Sequence, residues 1–303
     1  MNKLKESIKY YYFGLKYFNN CFKVLKRGQS QAYEILQLSH RLEKGLLNKK
    51  PKKNWGEKKA IKLFNLIQLC DNRSVVEIGS SVLHAYCNVK QTKGCDSEKE
   101  FCKELLLKLE ALKFQDYCCG GIESIRKGDM CFDPQFFERF ISSRHSVREF
   151  SDEKIGIDEI SKAVNLALKA PSACNRQPCS VYILPKERIC LDDTIDNSYN
   201  AAAIAYITTN ISAFNIDEYL DWIVNGSIFS TYFVLSLHSL GIGSCIIRKD
   251  LLRRKCNASI YKKCKIPANE QIILEIAIGK YKDSFTIAKS TRIEGSNIIH
   301  IVE

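Results

Sequence analysis

Twenty-one consecutive residues, Ser227–Ile247, contain no Asp, Glu, Lys or Arg. A run of that length either crosses a bilayer or lies inside a protein core. The segment also carries Ser227, Ser230, Thr231, Ser236, His238, Ser239, Gly241, Gly243 and Ser244. That polar content reads better as a buried helix, Ser227–Leu240, that stops at Gly241 and runs into a strand. The chain is therefore expected to be built around this helix, with sheet against it.

The rest of the C-terminal half supports that reading. Ser180–Leu184, Ala201–Thr209 and Gln271–Ile278 are short apolar runs bounded by turn residues, which reads as strands. A helix capped by Asp158 is expected to run to Ala170, where Pro171 stops it. Strands alternating with helices give a mixed α/β or α+β class.

The N-terminal half has a different texture. Leu4, Ile8, Tyr11, Leu15, Phe18, Phe22 and Leu25 recur at spacings of three and four, which makes one helical stripe. Helices are also expected over Ser30–Leu46, Glu57–Cys70 and Ser97–Leu112, with a Lys-rich loop at Asn48–Gly56. A linker is placed at Asp116–Pro134, which holds Gly120, Gly121 and Gly128, so the division is 1–133 helical and 134–303 mixed. The net charge of +12 is lopsided: residues 1–140 hold 26 Lys+Arg against 16 Asp+Glu. A basic helical surface is the simpler account, with an anionic membrane or partner under Leu4–Leu25 as the alternative. No nucleic-acid reading motif accompanies the charge, so no nucleic-acid partner is expected.

Fourteen cysteines include no CxxC, and no His stands at zinc-finger spacing from a Cys pair, so no metal site is expected. With no signal-peptide pattern, reduced thiols and a cytoplasmic location are the simplest expectation.

Four segments carry polar chemistry. In Arg144-His145-Ser146-Val147-Arg148 an extended backbone would turn Arg144, Ser146 and Arg148 to one side, suiting a phosphate and a polar ring edge. Pro171-Ser172-Ala173-Cys174-Asn175-Arg176-Gln177-Pro178 lies between a helix and a strand, where small residues admit a planar ligand. Leu240-Gly241-Ile242-Gly243-Ser244-Cys245 lacks the Gly-Lys-Ser/Thr of a P-loop and the spacing of a dinucleotide fingerprint. Lys289-Ser290-Thr291-Arg292 adds a late guanidinium.

In this order and spacing the four segments resemble the nitroreductase family of FMN flavoproteins, over about Phe137 to Val302. His40-Arg41-Leu42-Glu43-Lys44-Gly45-Leu46 resembles a signature of a subgroup with an N-terminal helical extension, associated with surface-polysaccharide synthesis. The resemblance implies an α+β, three-layer fold: a central, mostly antiparallel sheet flanked by helices, preceded by the helical region. It implies an FMN oxidoreductase in which NAD(P)H and then a small organic acceptor take turns at the flavin, with hydride passing through N5. It also implies an intertwined homodimer with FMN at the interface.

Residue by residue, the resemblance puts Arg144, Ser146 and Arg292 at the phosphate and ribityl chain and Arg148 at the pyrimidine edge. Pro171, Ser172, Asn175 and Gln177 fall near the ring, His145 beside the phosphate segment, and Gly243 and Ser244 come from the partner subunit. No side-chain nucleophile is needed. Cys179 stands where such families carry an aromatic residue after Gln-Pro. Asn197 and Asn200 are further candidates for flavin contact. The alternative is a flavin-binding protein of weak turnover whose basic helical region docks on a polysaccharide-synthesis complex or a membrane.

Overall fold

The computed structural model describes the chain except residues 1–7, 9–10, 13–14, 16–17, 20, 50–51, 113–116, 190–199, 219, 248–253 and 303. Asn197 lies outside the described residues.

Four helices make the N-terminal bundle: α1 (Gln31–Leu46), α2 (Glu57–Ile67), α3 (Arg73–Lys93) and α4 (Asp96–Glu110). Their apolar stripes meet in one core, with Ile35, Leu42, Leu63, Val82, Leu83, Tyr86, Cys87, Cys102 and Leu109 removed from solvent. Inside it the Lys90 ammonium meets the Glu98 carboxylate at 2.5 Å. Glu98 also accepts from the amides of Asn54 (2.9 Å) and Cys95 (3.0 Å). Burial alone would raise this carboxyl, but the Lys90 and Cys95 hydrogen bonds prevail and hold it at about 2.

The His40–Leu46 signature is absorbed by this packing. Leu42 is fully buried, and Glu43 accepts from the Gly121 amide at 3.1 Å. A Cβ on Gly45 would fall inside the Trp55 ring, so the glycine admits that indole against α1. Gly121, at φ +117°, lets the returning chain lie close on α3, where the Cys119 amide donates to Ser81 Oγ at 3.2 Å.

The C-terminal half adds α5 (Pro134–Ser143), α6 (Ile157–Ala167), β1 (Cys179–Pro185), β2 (Ala203–Asn210), α7 (Asp221–Ser239), β3 (Ile242–Ile247), α8 (Arg254–Cys264) and β4 (Glu270–Lys280). The sheet order is β1-β2-β4-β3, and every neighbouring pair is antiparallel. Both faces are covered. Ala203, Ala205, Ile207, Ile276 and Ile278 pack with α6 and α7, while Ile204, Tyr206, Ile272 and Ala277 pack with Val147, Phe150 and Ile260 of α8. The result is an α+β fold of helix, sheet and helix layers.

The uncharged run is, as expected, a helix feeding a strand. Among the described residues no helix is long and apolar enough to cross a membrane. Its seat is tight: a Cβ on Gly226 would lie 2.5 Å from Ile273 and 2.6 Å from Thr209 Oγ1. At the other edge Phe150 is pressed onto Gly279, where an added Cβ would lie 2.5 Å from its ring.

Two expectations need correcting. Asp158 does not cap α6; the helix begins at Ile157, and the carboxylate of Glu159 reaches back to the Gly156 amide at 2.9 Å. The N-terminal stripe is not one uniform face. Cys21 and Leu25 are buried against Ile211, Ala213, Phe214 and Trp222 of the C-terminal half. Ile8, Tyr11, Tyr12 and Leu15 are exposed.

Candidate functional site

Helix α5 ends at Arg144, whose backbone turns extended (φ −78°, ψ 120°). The chain then runs beside β3. Ser146 forms an isolated parallel bridge with Ser244, and the Val147 amide donates to the Ser244 carbonyl at 3.0 Å. Val147 is fully buried and anchors the segment. Arg144 and Ser146 are thereby fixed at a hollow of about 270 Å³, completed by Thr231, Val234 and Leu235 of α7 and Ser244 and Ile246 of β3. One end is a guanidinium with hydroxyls, the other an aliphatic wall. That donor set fits a ligand with an anionic head and an apolar body.

The other expected residues are placed differently. Arg148 and Arg292 do not line this hollow. Arg292 is exposed and donates to the carbonyl of its own neighbour Ser290. His145 is half-buried near His238, whose imidazole is depressed by burial and further by the charges of Arg144 and His145. His238 is held by the Tyr281 hydroxyl at 2.9 Å and Ser143 Oγ at 3.0 Å, so it is a satisfied structural histidine. Asn200 holds Lys186 (2.6 Å) and Asp152 (3.1 Å).

Within one chain, Gly243 and Ser244 have separate surroundings. Ser244 shares its hollow with Arg144 and Ser146 of the same chain. Gly243 is buried against Tyr281 and Phe150, where an added Cβ would meet their rings at 3.3 and 3.4 Å. The glycine admits protein rings.

The second group lies elsewhere. Pro171, Ser172 and Gln177 line a shallow dent of about 10 Å³ with Cys179 and with Asn225 and Phe229 of α7. Asn175 is exposed and does not line it. Cys174, Asn175 and Gln177 all have φ between 50° and 52°. Non-glycine residues rarely hold that left-handed conformation without support. Here the support is dense. Asn225 Oδ1 accepts from the Ala173 amide at 2.8 Å, and Ser172 Oγ accepts from the Gln177 amide at 3.0 Å. Arg176 is fully buried and gives both nitrogens of its fork to Glu218, at 2.7 and 2.6 Å. It also donates to the carbonyls of Ala173 (2.9 Å) and Ala213 (2.8 Å) and stacks on Phe214. Burial would raise the Glu218 carboxyl, but its bonds to Arg176 and Asn215 bring it below the ordinary range. Arg176, Glu218 and Asn225 were not read from the sequence as site residues. A buried Asn on an otherwise apolar helix was the available signal.

Residues 141–218 match the model of the Nitroreductase family. That segment is similar to the nitroreductase family. It holds the Arg144–Arg148 stretch, the 171–178 turn and Glu218. An Archaeoglobus fulgidus protein named "Putative NADH dehydrogenase/NAD(P)H nitroreductase" is 25% identical over 153 residues, 48% of this chain and 85% of its own. An FMN-dependent nitroreductase from Clostridium difficile R20291 is 21% identical with a TM-score of 0.45, covering 54% of this chain and 98% of its own. A nitroreductase with bound FMN from Bacteroides fragilis is 16% identical with a TM-score of 0.46, covering 55% and 98%. Among the described residues no cluster of His, Cys, Asp or Glu is able to hold a metal ion.

Proposed function

We propose that this chain is an FMN-dependent oxidoreductase that uses NAD(P)H to reduce a small organic acceptor, working as a homodimer. The observation that carries the reading is the hollow of Arg144, Ser146 and Ser244, built within and against the family-matched segment. Arg144 and Ser146 would hold the phosphate, and Val234, Leu235 and Ile246 would line the apolar part. Bound FMN supplies the two-electron transfer; the chain supplies orientation, charge and exclusion of water.

One chain holds only part of such a site. The hollow is below the roughly 300–1,000 Å³ usual for ligands of this size. The 171–178 turn sits on a different side of α7: Asn225 and Val234 are about 180° apart at 3.6 residues per turn. A two-fold partner would bring the turn of one copy to the hollow of the other. Exposed apolar surface is available for it on α5 (Phe136, Phe137, Ile141) and on the tail (Ile293, Ile298, Ile299, Ile301). Arg148 and Arg292, exposed in one chain, would close the site in the pair.

The test is direct. The purified chain should be yellow, or take up FMN stoichiometrically, and NADH or NADPH should bleach the flavin band without oxygen. A dimer by light scattering is expected. A colourless chain that takes up no FMN overturns the reading. A flavin that neither nicotinamide bleaches favours the weak-turnover alternative, with its docked helical region. The exposed Ile8, Tyr11, Tyr12 and Leu15 favour that docking. Flotation with anionic liposomes tests it: Tyr11→Asp with Leu15→Asp should abolish binding, and equal recovery in the soluble fraction for wild type and variant sinks it.

A further inference from the structure

Among the described residues, the segment that joins the N-terminal bundle to the rest runs directly behind the strained turn. Cys21 and Leu25 are 3% and 2% exposed, packed with Ile211, Ala213, Phe214 and Trp222, and Tyr33 and Ala173 join the same cluster. The Ser30 amide donates to the Ser212 carbonyl at 2.9 Å. Gln29 Nε2 donates to the Ala213 carbonyl at 3.0 Å. That carbonyl is the one that accepts from Arg176 Nη1 at 2.8 Å. A single backbone oxygen thus joins the N-terminal segment to the guanidinium that organises the turn. The Phe214 ring under that guanidinium lies in the same apolar cluster as Leu25.

We infer that residues 21–33 are a working part of the flavin site: they hold Ala213 and Phe214 in place, and through them Arg176 and the 172–178 turn. The inference rests on the flavin reading of that turn. Gln29, Leu25 and Arg176 are positioning residues. The physical reason is the strain. Three left-handed non-glycine residues persist only where the surroundings over-determine them. A loosened Ala213–Phe214 segment leaves Arg176 with Glu218 and Ala173 alone, and the turn relaxes toward ordinary backbone. The helical half is then neither an appendage nor only a docking module.

The experiment uses the full chain and two variants, Gln29→Ala and Leu25→Ala. Amide hydrogen exchange of the flavin-free protein reports on Asn175, Arg176 and Gln177, whose amides are bonded to Ser172 and Ala173. Quenching of free FMN fluorescence reports affinity. Both variants should speed exchange in the turn at least five-fold and weaken FMN by a similar factor. Exchange at Leu83 and Tyr86, deep in the bundle, should stay as in wild type. Tyr11→Asp, at an exposed position N-terminal to that segment, should change neither readout. Unchanged exchange in the turn overturns the inference. So does faster exchange with unchanged FMN affinity. A wild-type chain that binds no FMN instead overturns the flavin reading, and with it the functional half of the inference, while the exchange arm decides the buttress itself.

Discussion

The bundle and the sheet half both contain polar motifs, and they use them in opposite ways. In the bundle the polar groups are taken up by protein. Glu43 is engaged with Gly121, Gly45 with Trp55, and Lys90 with Glu98. In the sheet half, Arg144 and Ser146 face a hollow. A sequence signature therefore marks geometry first. Whether that geometry serves a ligand depends on what remains unsaturated once the chain has folded.

The strongest polar contact of the bundle is the buried Lys90–Glu98 pair. Lys90→Met leaves the Glu98 carboxylate buried without its counter-charge. It should destabilise the chain by about 3–5 kcal/mol, read by urea denaturation. A loss under about 1 kcal/mol would mean that the pair is not buried as described. On the sheet side, Arg144→Ala should leave the melting temperature near wild type and weaken FMN by roughly 30- to 100-fold, the scale of a lost charge-assisted contact. If it melts the protein and spares FMN, Arg144 serves the fold as the bundle's polar groups do.

Acid provides a third test. Glu98 titrates at about 2 when folded, against about 4.3 in an unfolded chain. Its contribution is therefore present above about pH 4.3 and lost as pH falls toward 2. Wild type should lose stability over that window more steeply than Glu98→Gln, and parallel curves would remove Glu98 as the cause. The smallest effect is expected at Glu43→Ala, which frees one half-buried amide at Gly121 and should cost about 1 kcal/mol. FMN affinity should not change.

Helices with clean stripes were legible in the sequence: α1 and α2 begin within a residue of where periodicity puts them. Helix α3 was not, because Ser80, Ser81 and Lys90 occupy buried positions on it and blur the stripe. Helix α8 was missed for the opposite reason: it is strongly basic, and Ile260 is its one fully buried residue among those described. In the candidate site, Arg144 and Ser146 were legible because alternation along an extended segment is local. The work of Arg176 was not, since its partner Glu218 is 42 residues away and only the fold brings them together. At Gly243 the sequence does not name the occupant, because a glycine that admits Tyr281 and Phe150 leaves the same mark in sequence as one that admits a ligand.

Helix α7 carries the hollow on one side and the turn's dent on another. A helix seated on the sheet at Gly226, with no room for even a methyl group there, moves as a rigid body or not at all. In the proposed dimer each α7 would serve both ligand positions at once. Filling one position would then be felt at the other, about 30 Å of helix per copy acting as a lever, and an FMN titration of the dimer should require two binding constants rather than one.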